Sequence, residues 1–145
     1  MNVLLVGAGA VGEAIAVLAR RIDPESTWLE GMVVCDYNIG RAEEVAAKTG
    51  DERFVAQRVD AGNQNEILRL CEKYKADFIM NACAPNFNMP IFHAALESGC
   101  TYMDMAMSLS ERHPADPYAK THVKLGDGQF AEAGKRLRRP VGKGH

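Results

Sequence analysis

A short apolar run at the start of the chain leads directly into a glycine-rich turn. Residues 1–6 read Met-Asn-Val-Leu-Leu-Val, and residues 7–12 read Gly-Ala-Gly-Ala-Val-Gly. The apolar run predicts a β-strand, and the Ala-rich stretch after the turn predicts a helix. A GxGxxG turn between a strand and a helix is typical of α/β folds that bind a dinucleotide. No other feature of the chain restricts its fold as much.

Each position of the turn has a physical task in such a fold. Gly7 allows the tight turn, Gly9 lets the backbone approach a pyrophosphate, and Gly12 lets the helix pack closely on the strand. The N-terminus of the following helix offers unpaired N–H groups, and its positive end attracts phosphate. The alternative is a helix-packing turn that binds nothing.

A second apolar strand, residues 32–36, ends in an acid. Asp36 follows Gly12 by 24 residues, close to the spacing of about 20 expected for the carboxylate that binds the adenosine ribose. Arg41 could stack on adenine, pair with a 2′-phosphate, or be a solvated charge at a helix start. Because Asp36 would repel a 2′-phosphate, the sequence favours NAD, with NADP as the alternative.

Strand and helix patterns then alternate along the chain. The predicted strands are 2–6, 32–36, 54–59, 77–83 and 101–106, and the predicted helices are 11–21, 39–49, 63–74 and 89–97, with Asn63 as a cap and Gly50 as a stop. This alternation predicts an α/β, Rossmann-type, doubly wound parallel sheet of order 3-2-1-4-5. No sixth strand pattern follows, so we expect an incomplete sheet.

The pattern divides the chain into three parts. Residues 1–106 form the predicted dinucleotide-binding domain, and 107–133 form a loop with a short helix at 129–134. Residues 134–145 are a basic tail with five Lys or Arg and no acid, which we expect to be disordered. The acidic remainder of the chain would oppose nucleic-acid binding, so no nucleic-acid partner is predicted.

Length and composition limit the remaining choices. The 145 residues suit one ordinary domain, and no apolar run approaches the ~20 residues of a membrane span. No cleavable signal is visible, so the sequence predicts a cytoplasmic protein without a membrane partner. The cysteines are Cys35, Cys71, Cys83 and Cys100. Their wide spacing, without a CxxC pair, favours buried thiols in a reducing compartment over a metal site.

Other candidates lie at predicted strand ends. Asp60 ends the third strand, where it could meet the adenine amino group or simply form a turn. Small residues follow the fourth strand and would let the cofactor pass closely. The candidate cofactor-binding residues are Gly7, Gly9, Ala10, Val11, Gly12, Asp36, Arg41, Asp60, Ala82, Ala84 and Pro85.

The sequence identifies no catalytic set. Asp104 and His113 are the ionisable residues expected nearest a nicotinamide. A strand-end Asp is also commonly a turn cap, and a His before proline is commonly a surface loop residue. His93 lies on a predicted helix among apolar residues, where packing is the simpler interpretation. The catalytic residues are therefore unknown, with Asp104 as the candidate.

From Val3 to about Phe130 the chain resembles the N-terminal NAD(P)-binding domain of the saccharopine dehydrogenase family. The resemblance rests on the glycine turn, on Asp36 with residues 41–44 (Arg-Ala-Glu-Glu), and on residues 60–61 (Asp-Ala). It continues through 81–85 (Asn-Ala-Cys-Ala-Pro), 94–104 (ending Ser-Gly-Cys-Thr-Tyr-Met-Asp) and 126–130 (Gly-Asp-Gly-Gln-Phe). It implies hydride transfer between a nicotinamide and the CH–NH bond of a secondary amine derived from an amino acid, as in lysine metabolism.

The family's pattern also raises expectations about what lies beyond. Family members continue into a substrate-binding, dimerising domain, whereas this chain ends in the basic tail, so we expect a truncation, for example by a frame change near Ala133. The chain alone would then bind cofactor without turnover and meet an amine substrate only if a second domain were present. A non-catalytic NAD(H)-sensing module and, less closely, a methyltransferase are the alternatives. An unfinished sheet edge favours a homo-oligomer.

Overall fold

The computed structural model describes residues 1–105, 113–120 and 126–137, with only the backbone described for residues 136 and 137. The chain divides into two compact units, 1–106 and 107–145. The first unit holds the strands β1 (Asn2–Val6), β2 (Gly31–Asp36), β3 (Phe54–Arg58), β4 (Phe78–Asn81) and β5 (Thr101–Asp104). Its helices are α1 (Ala10–Ile22), α2 (Ile39–Thr49), α3 (Gln64–Tyr74) and α4 (Asn88–Ser98), with a 3₁₀ turn at Pro85–Phe87. The second unit holds α5 (Asp127–Leu137).

All strand pairs in the sheet are parallel. The order is β3-β2-β1-β4-β5, which confirms the predicted doubly wound topology. In register, Val6 of β1 lies between Cys35 of β2 and Asn81 of β4. The carboxyl ends of the three central strands therefore meet at one edge, where parallel α/β sheets bind ligands.

The period-two alternation of the central strands separates two apolar cores. On one face, Val3 and Leu5 pack with the buried residues of α1 and α2, including Ala16 and Val45. On the other face, Leu4 and Val6 belong to a cluster with α3 and α4, including Ile67 and Ile91. Both faces of β1 are thus covered, as is usual for a central strand of a parallel sheet.

Two predicted helix boundaries are confirmed by their caps. The Asn63 side chain accepts hydrogen bonds from the N–H groups of Asn65 and Glu66 at the start of α3. Gly50 ends α2 with a left-handed φ of 61°, which glycine adopts without steric cost. Side-chain capping and glycine geometry act locally, so they can be recognised in sequence.

Other boundaries differ from the predictions. Strand β4 stops at Asn81 rather than at 83. The side-chain oxygen of Asn81 accepts the Cys83 N–H, and Pro85 then begins a 3₁₀ turn. Strand β5 ends at Asp104, two residues earlier than expected. Helix α5 is longer than the predicted 129–134 and includes residues 134–137 of the predicted tail. The rest of that tail lies outside the described residues.

The turn between α1 and β2 is organised by a buried acid at the amino edge of the sheet. Asp23 accepts hydrogen bonds from the N–H groups of Thr27, Trp28 and Leu29, at 2.7, 3.0 and 2.8 Å. Burial opposes ionisation of Asp23, but these hydrogen bonds outweigh it and lower its pKa. Arg53 donates to the Leu29 carbonyl at 2.9 Å and so ties the turn to the start of β3.

Within the described ranges, no helix combines the length and apolar character needed to cross a membrane.

Candidate functional site

The glycine turn has the three geometries that the sequence predicted. Gly7 has a φ of +103°, a region that favours glycine. A Cβ on Gly12 would lie 1.9 Å from the Gly7 carbonyl oxygen, so α1 touches the end of β1. A Cβ on Gly9 would meet nothing within 4 Å. The turn is therefore tight at Gly7, packed at Gly12 and open at Gly9.

The open glycine lies at the start of a helix. Helix α1 begins at Ala10 with Gly9 as its cap, and no side chain caps it. The first N–H groups of a helix have no intrahelical partner, and they carry the positive end of the helix dipole. Ala10, Val11 and Gly12 thus present backbone donors suited to an anion.

Asp36 is fixed at the end of β2 by two backbone donors. Its Oδ2 accepts the Ala8 N–H of the glycine turn at 2.8 Å, and its Oδ1 accepts the Asn38 N–H at 2.9 Å. An ionised carboxylate has about four acceptor positions. The remaining positions can accept hydroxyl donors, such as those of a ribose.

Arg41 is held inside an ion-pair network between α1 and α2. Its Nε donates to the Ala8 carbonyl at 2.7 Å, Nη2 pairs with Glu13, and Nη1 pairs with Glu44 at 2.9 Å. Lys48 contacts both acids, at 2.9 and 3.2 Å, and hydrogen bonds from Lys48 and Arg41 lower the pKa of Glu13. Arg41 is therefore paired rather than freely solvated, and each of its nitrogens has a partner.

A cavity of about 280 Å³ opens beside the glycine turn at the carboxyl edge of the sheet. Such a volume lies close to the small end of the range of roughly 300–1,000 Å³ for small-molecule sites. Six predicted cofactor residues line it: Gly7, Gly9, Asp36, Asp60, Ala82 and Ala84. The other predicted residues, Ala10, Val11, Gly12, Arg41 and Pro85, do not.

Asp60 acts in the structure as a turn former. Its Oδ1 accepts the Gly62 N–H at 2.9 Å, and its own N–H donates to Glu66 at 2.9 Å. The turn interpretation is thus confirmed. Because Asp60 also lines the cavity, its predicted contact with adenine stays a prediction.

A buried asparagine, which sequence reasoning missed, holds the loop after β4. Asn81 is fully buried; its Nδ2 donates to Asn88 and Tyr102 at 2.9 and 3.1 Å, and its Oδ1 accepts the Cys83 N–H at 2.9 Å. The Ala82 N–H bonds the Val6 carbonyl at 2.8 Å. These bonds fix Ala82 and Cys83 beside the glycine turn. An asparagine in an apolar strand was the signal available in the sequence.

Cys83 and Tyr37 are among the cavity residues that were not predicted. The Cys83 thiol has its pKa raised to about 11 by burial and by the charge of Asp36, so it is an unreactive thiol at neutral pH. Tyr37 also lines the cavity. Its ring lies against the Arg58 guanidinium, whose carbon is 4.4 Å from the ring centroid.

Within the first unit, Asp104 and His93 do not line this cavity. Asp104 ends β5 opposite Asn81 in register, outside the cavity lining. His113 Nδ1 accepts the N–H groups of Ala115 and Asp116, at 3.2 and 3.1 Å, as a loop residue does. His93 lies on α4 beside Phe92, with ring centroids 6.4 Å apart. The described ranges contain no group of three or more His, Cys, Asp or Glu arranged to hold a metal.

Comparison with known families and proteins gives consistent results. A family model described as the saccharopine dehydrogenase NADP binding domain matches residues 3–136. The chain is 24% identical over 105 residues to carboxyaminopropylagmatine dehydrogenase of Synechocystis sp., covering 72% of this chain and 25% of that protein. It is also 24% identical over 117 residues to carboxynorspermidine synthase of Vibrio cholerae, covering 75% and 28%. The chain thus spans about a quarter of the length of these relatives.

Solved structures share the fold. Saccharopine dehydrogenase (L-Glu forming) from Saccharomyces cerevisiae matches with a TM-score of 0.56 at 17% identity, covering 79% of this chain and 22% of that one. UDP-glucose-4-epimerase from Stenotrophomonas maltophila, with bound NAD, matches with a TM-score of 0.61 at 16% identity, covering 94% and 47%. At these identities the likeness shows a Rossmann-like α/β fold.

Proposed function

The chain belongs to the family of saccharopine dehydrogenase NADP-binding domains, and we propose that it is the cofactor-binding part of an oxidoreductase acting on the CH–NH bond of an amino-acid-derived secondary amine. One observation carries the proposal: the open glycine turn and the fixed Asp36 carboxylate border a single cavity. The family assignment supports the choice of chemistry. The bound cofactor would supply the hydride chemistry, while this chain binds and orients it.

The residues of the cavity fit a dinucleotide. The pyrophosphate would lie against Gly9 and the start of α1, where a Cβ is absent and backbone donors are available. Asp36 would accept the adenosine ribose hydroxyls. Ala82 and Ala84 line the part of the cavity formed by the loop after β4, and we assign that part, with Pro85, to the nicotinamide half.

We also propose that this chain prefers NAD(H) to NADP(H), although its family is described as an NADP-binding domain. The fixed negative charge of Asp36 would repel a 2′-phosphate. Arg41 cannot readily compensate, because Glu13 and Glu44 already neutralise it. Its contact with the Ala8 carbonyl gives it a different task in this proposal, which is to position the glycine turn.

Calorimetric titration of the purified chain with NADH, NADPH and S-adenosylmethionine tests the proposal. We expect saturable binding of NADH, weaker binding of NADPH and none of S-adenosylmethionine. Binding of S-adenosylmethionine alone would identify a methyltransferase and end the oxidoreductase proposal. Binding of NADH with no effect on any amine reaction of the longer protein would instead favour the NAD(H)-sensing alternative.

The cysteines and the edge of the sheet bear on the compartment and on assembly. All four cysteines are free thiols, which supports a reducing compartment such as the cytoplasm; cell fractionation would check this. Strand β5 lies at one edge of the sheet, and an open edge favours pairing with a second copy. A monodisperse monomer in light scattering would count against self-association.

A further inference from the structure

Tyr37 combines exposure with a fixed ring. It is 67% exposed and lines the cavity beside Asp36. Because β2 ends at Asp36, Tyr37 lies just beyond the sheet, next to the carboxylate that we assign to the adenosine ribose. Packing within the chain does not explain why this large aromatic surface is exposed at a ligand cavity.

Arg58 holds one face of this ring. The guanidinium carbon lies 4.4 Å from the ring centroid, inside the ~6 Å range of a cation–π contact. Arg58 is the register partner of Asp36 across β2 and β3, so its backbone is fixed by the sheet. The guanidinium therefore limits the orientations of Tyr37 before any ligand binds.

From this arrangement we propose that Tyr37 stacks on the adenine ring of the dinucleotide and that Arg58 is a positioning residue that holds Tyr37 ready. The inference rests on the proposed function. Stacking suits adenine because a purine offers a π face as large as the tyrosine ring, and it needs no hydrogen-bond pattern. Asp36 would then bind the ribose while Tyr37 binds its base, and neither task falls to Arg41.

A ring held by Arg58 should behave differently from an apolar surface that merely contacts the ligand. An aromatic ring with few rotatable bonds loses little conformational entropy when a ligand covers it. The face opposite Arg58 gains contact with the base, while the cation contact on the first face persists. Removing Arg58 should therefore weaken adenosine binding without changing any atom that touches the ligand.

The test is calorimetric titration of the chain and its variants with NADH and with ADP-ribose, which keeps adenosine and lacks nicotinamide. We expect Tyr37→Ala to weaken both ligands about tenfold, the scale of one base-stacking contact. Tyr37→Phe should stay within about twofold of the parent, because it keeps the ring. Arg58→Ala should weaken both about threefold, and Arg58→Lys should recover part of that loss.

The matched control uses an arginine outside the cavity lining. Arg69, exposed on α3, should change nothing when replaced by Ala. Three results would overturn the proposal: unchanged binding by Tyr37→Ala, equal losses for Tyr37→Ala and Tyr37→Phe, or an Arg58→Ala variant that binds NADH and ADP-ribose as tightly as the parent. If the parent chain binds neither NADH nor ADP-ribose, the proposed function fails with it, whereas parent binding with unaltered variants defeats this inference alone.

Discussion

At the scale of single residues, the glycines of the turn have different physical reasons for being glycine. A side chain at Gly12 would overlap the Gly7 carbonyl, whereas one at Gly9 would point into open space. Gly9 has a φ of −72°, which any residue can adopt. We therefore expect Gly12 to matter for folding and Gly9 to matter for the approach of a ligand.

Replacing each glycine by alanine should give opposite results. Gly12→Ala forces α1 away from β1, and we expect a loss of about 3 kcal/mol or more in the free energy of unfolding. Gly9→Ala should change stability by no more than about 0.5 kcal/mol while weakening NADH binding at least about tenfold. Urea denaturation and calorimetric titration measure the two effects. Equal stability losses in both variants would contradict this assignment.

In the proposed function, Asp36 discriminates between the two nicotinamide cofactors. Asp36→Asn removes the negative charge while keeping the side-chain shape. We expect NADH affinity to fall about tenfold, because hydrogen bonds to a charged acceptor are the stronger ones, and NADPH affinity to rise relative to it. Titration with both cofactors checks this, and thermal unfolding shows whether the contacts to Ala8 and Asn38 still hold the loop. An unchanged ratio of the two affinities would rule Asp36 out as the discriminating residue.

At the scale of elements, the ion pairs of Asp51 with Arg20 and Arg53 at the amino edge of the sheet give a pH-dependent contribution to stability. Asp51 pairs with Arg53 at 2.8 Å and with Arg20 at 2.8 Å. The hydrogen bond from Arg53 lowers the pKa of Asp51 to about 2, from an ordinary value of 3.8. A carboxyl with a depressed pKa stabilises the folded state above its unfolded pKa and loses that effect as pH falls through the folded value.

The ion pairs of Asp51 should therefore stabilise the fold at neutral pH and lose that effect in acid. We expect Asp51→Asn to lower the urea midpoint at pH 6, and the difference from the parent to shrink between about pH 4 and pH 2. Glu52→Gln, an exposed neighbour, is the control and should follow the parent throughout. A difference that stays constant down to pH 2 would show that the Asn variant acts through packing.

The elements themselves were largely predictable, and the site only in part. Glycine positions, the Asn63 cap and Asp36 are signals carried by one residue and its near neighbours. The partners of Arg41 come from two helices, and the Asn81 bonds join β4 to α4 and β5. Such contacts depend on how elements pack, so the sequence alone gave no reason to pair them. Tyr37 was missed because its neighbour Arg58 is close through sheet register rather than along the chain.

At the scale of the whole molecule, the chain matches an NADP-binding domain and spans only about a quarter of its relatives. Its relatives are about four times as long as the matched segment. We expect the isolated chain to bind NADH and to leave it unoxidised when an amino acid and a keto acid are added. Absorbance at the nicotinamide band measures this, with the full-length relative as the positive control. Sustained turnover by the chain would require catalytic residues that we have not identified.

The central position of β1 also has a consequence for biosynthesis. This strand is made before the other strands of its sheet, yet its two neighbours are β2 and β4, and β4 ends only at Asn81. While the polypeptide leaves the ribosome, one side of β1 has no hydrogen-bonding partner until that residue emerges. We expect the nascent chain to gain protease resistance in a single late step after β4 emerges, and to depend until then on chaperones that cover apolar segments.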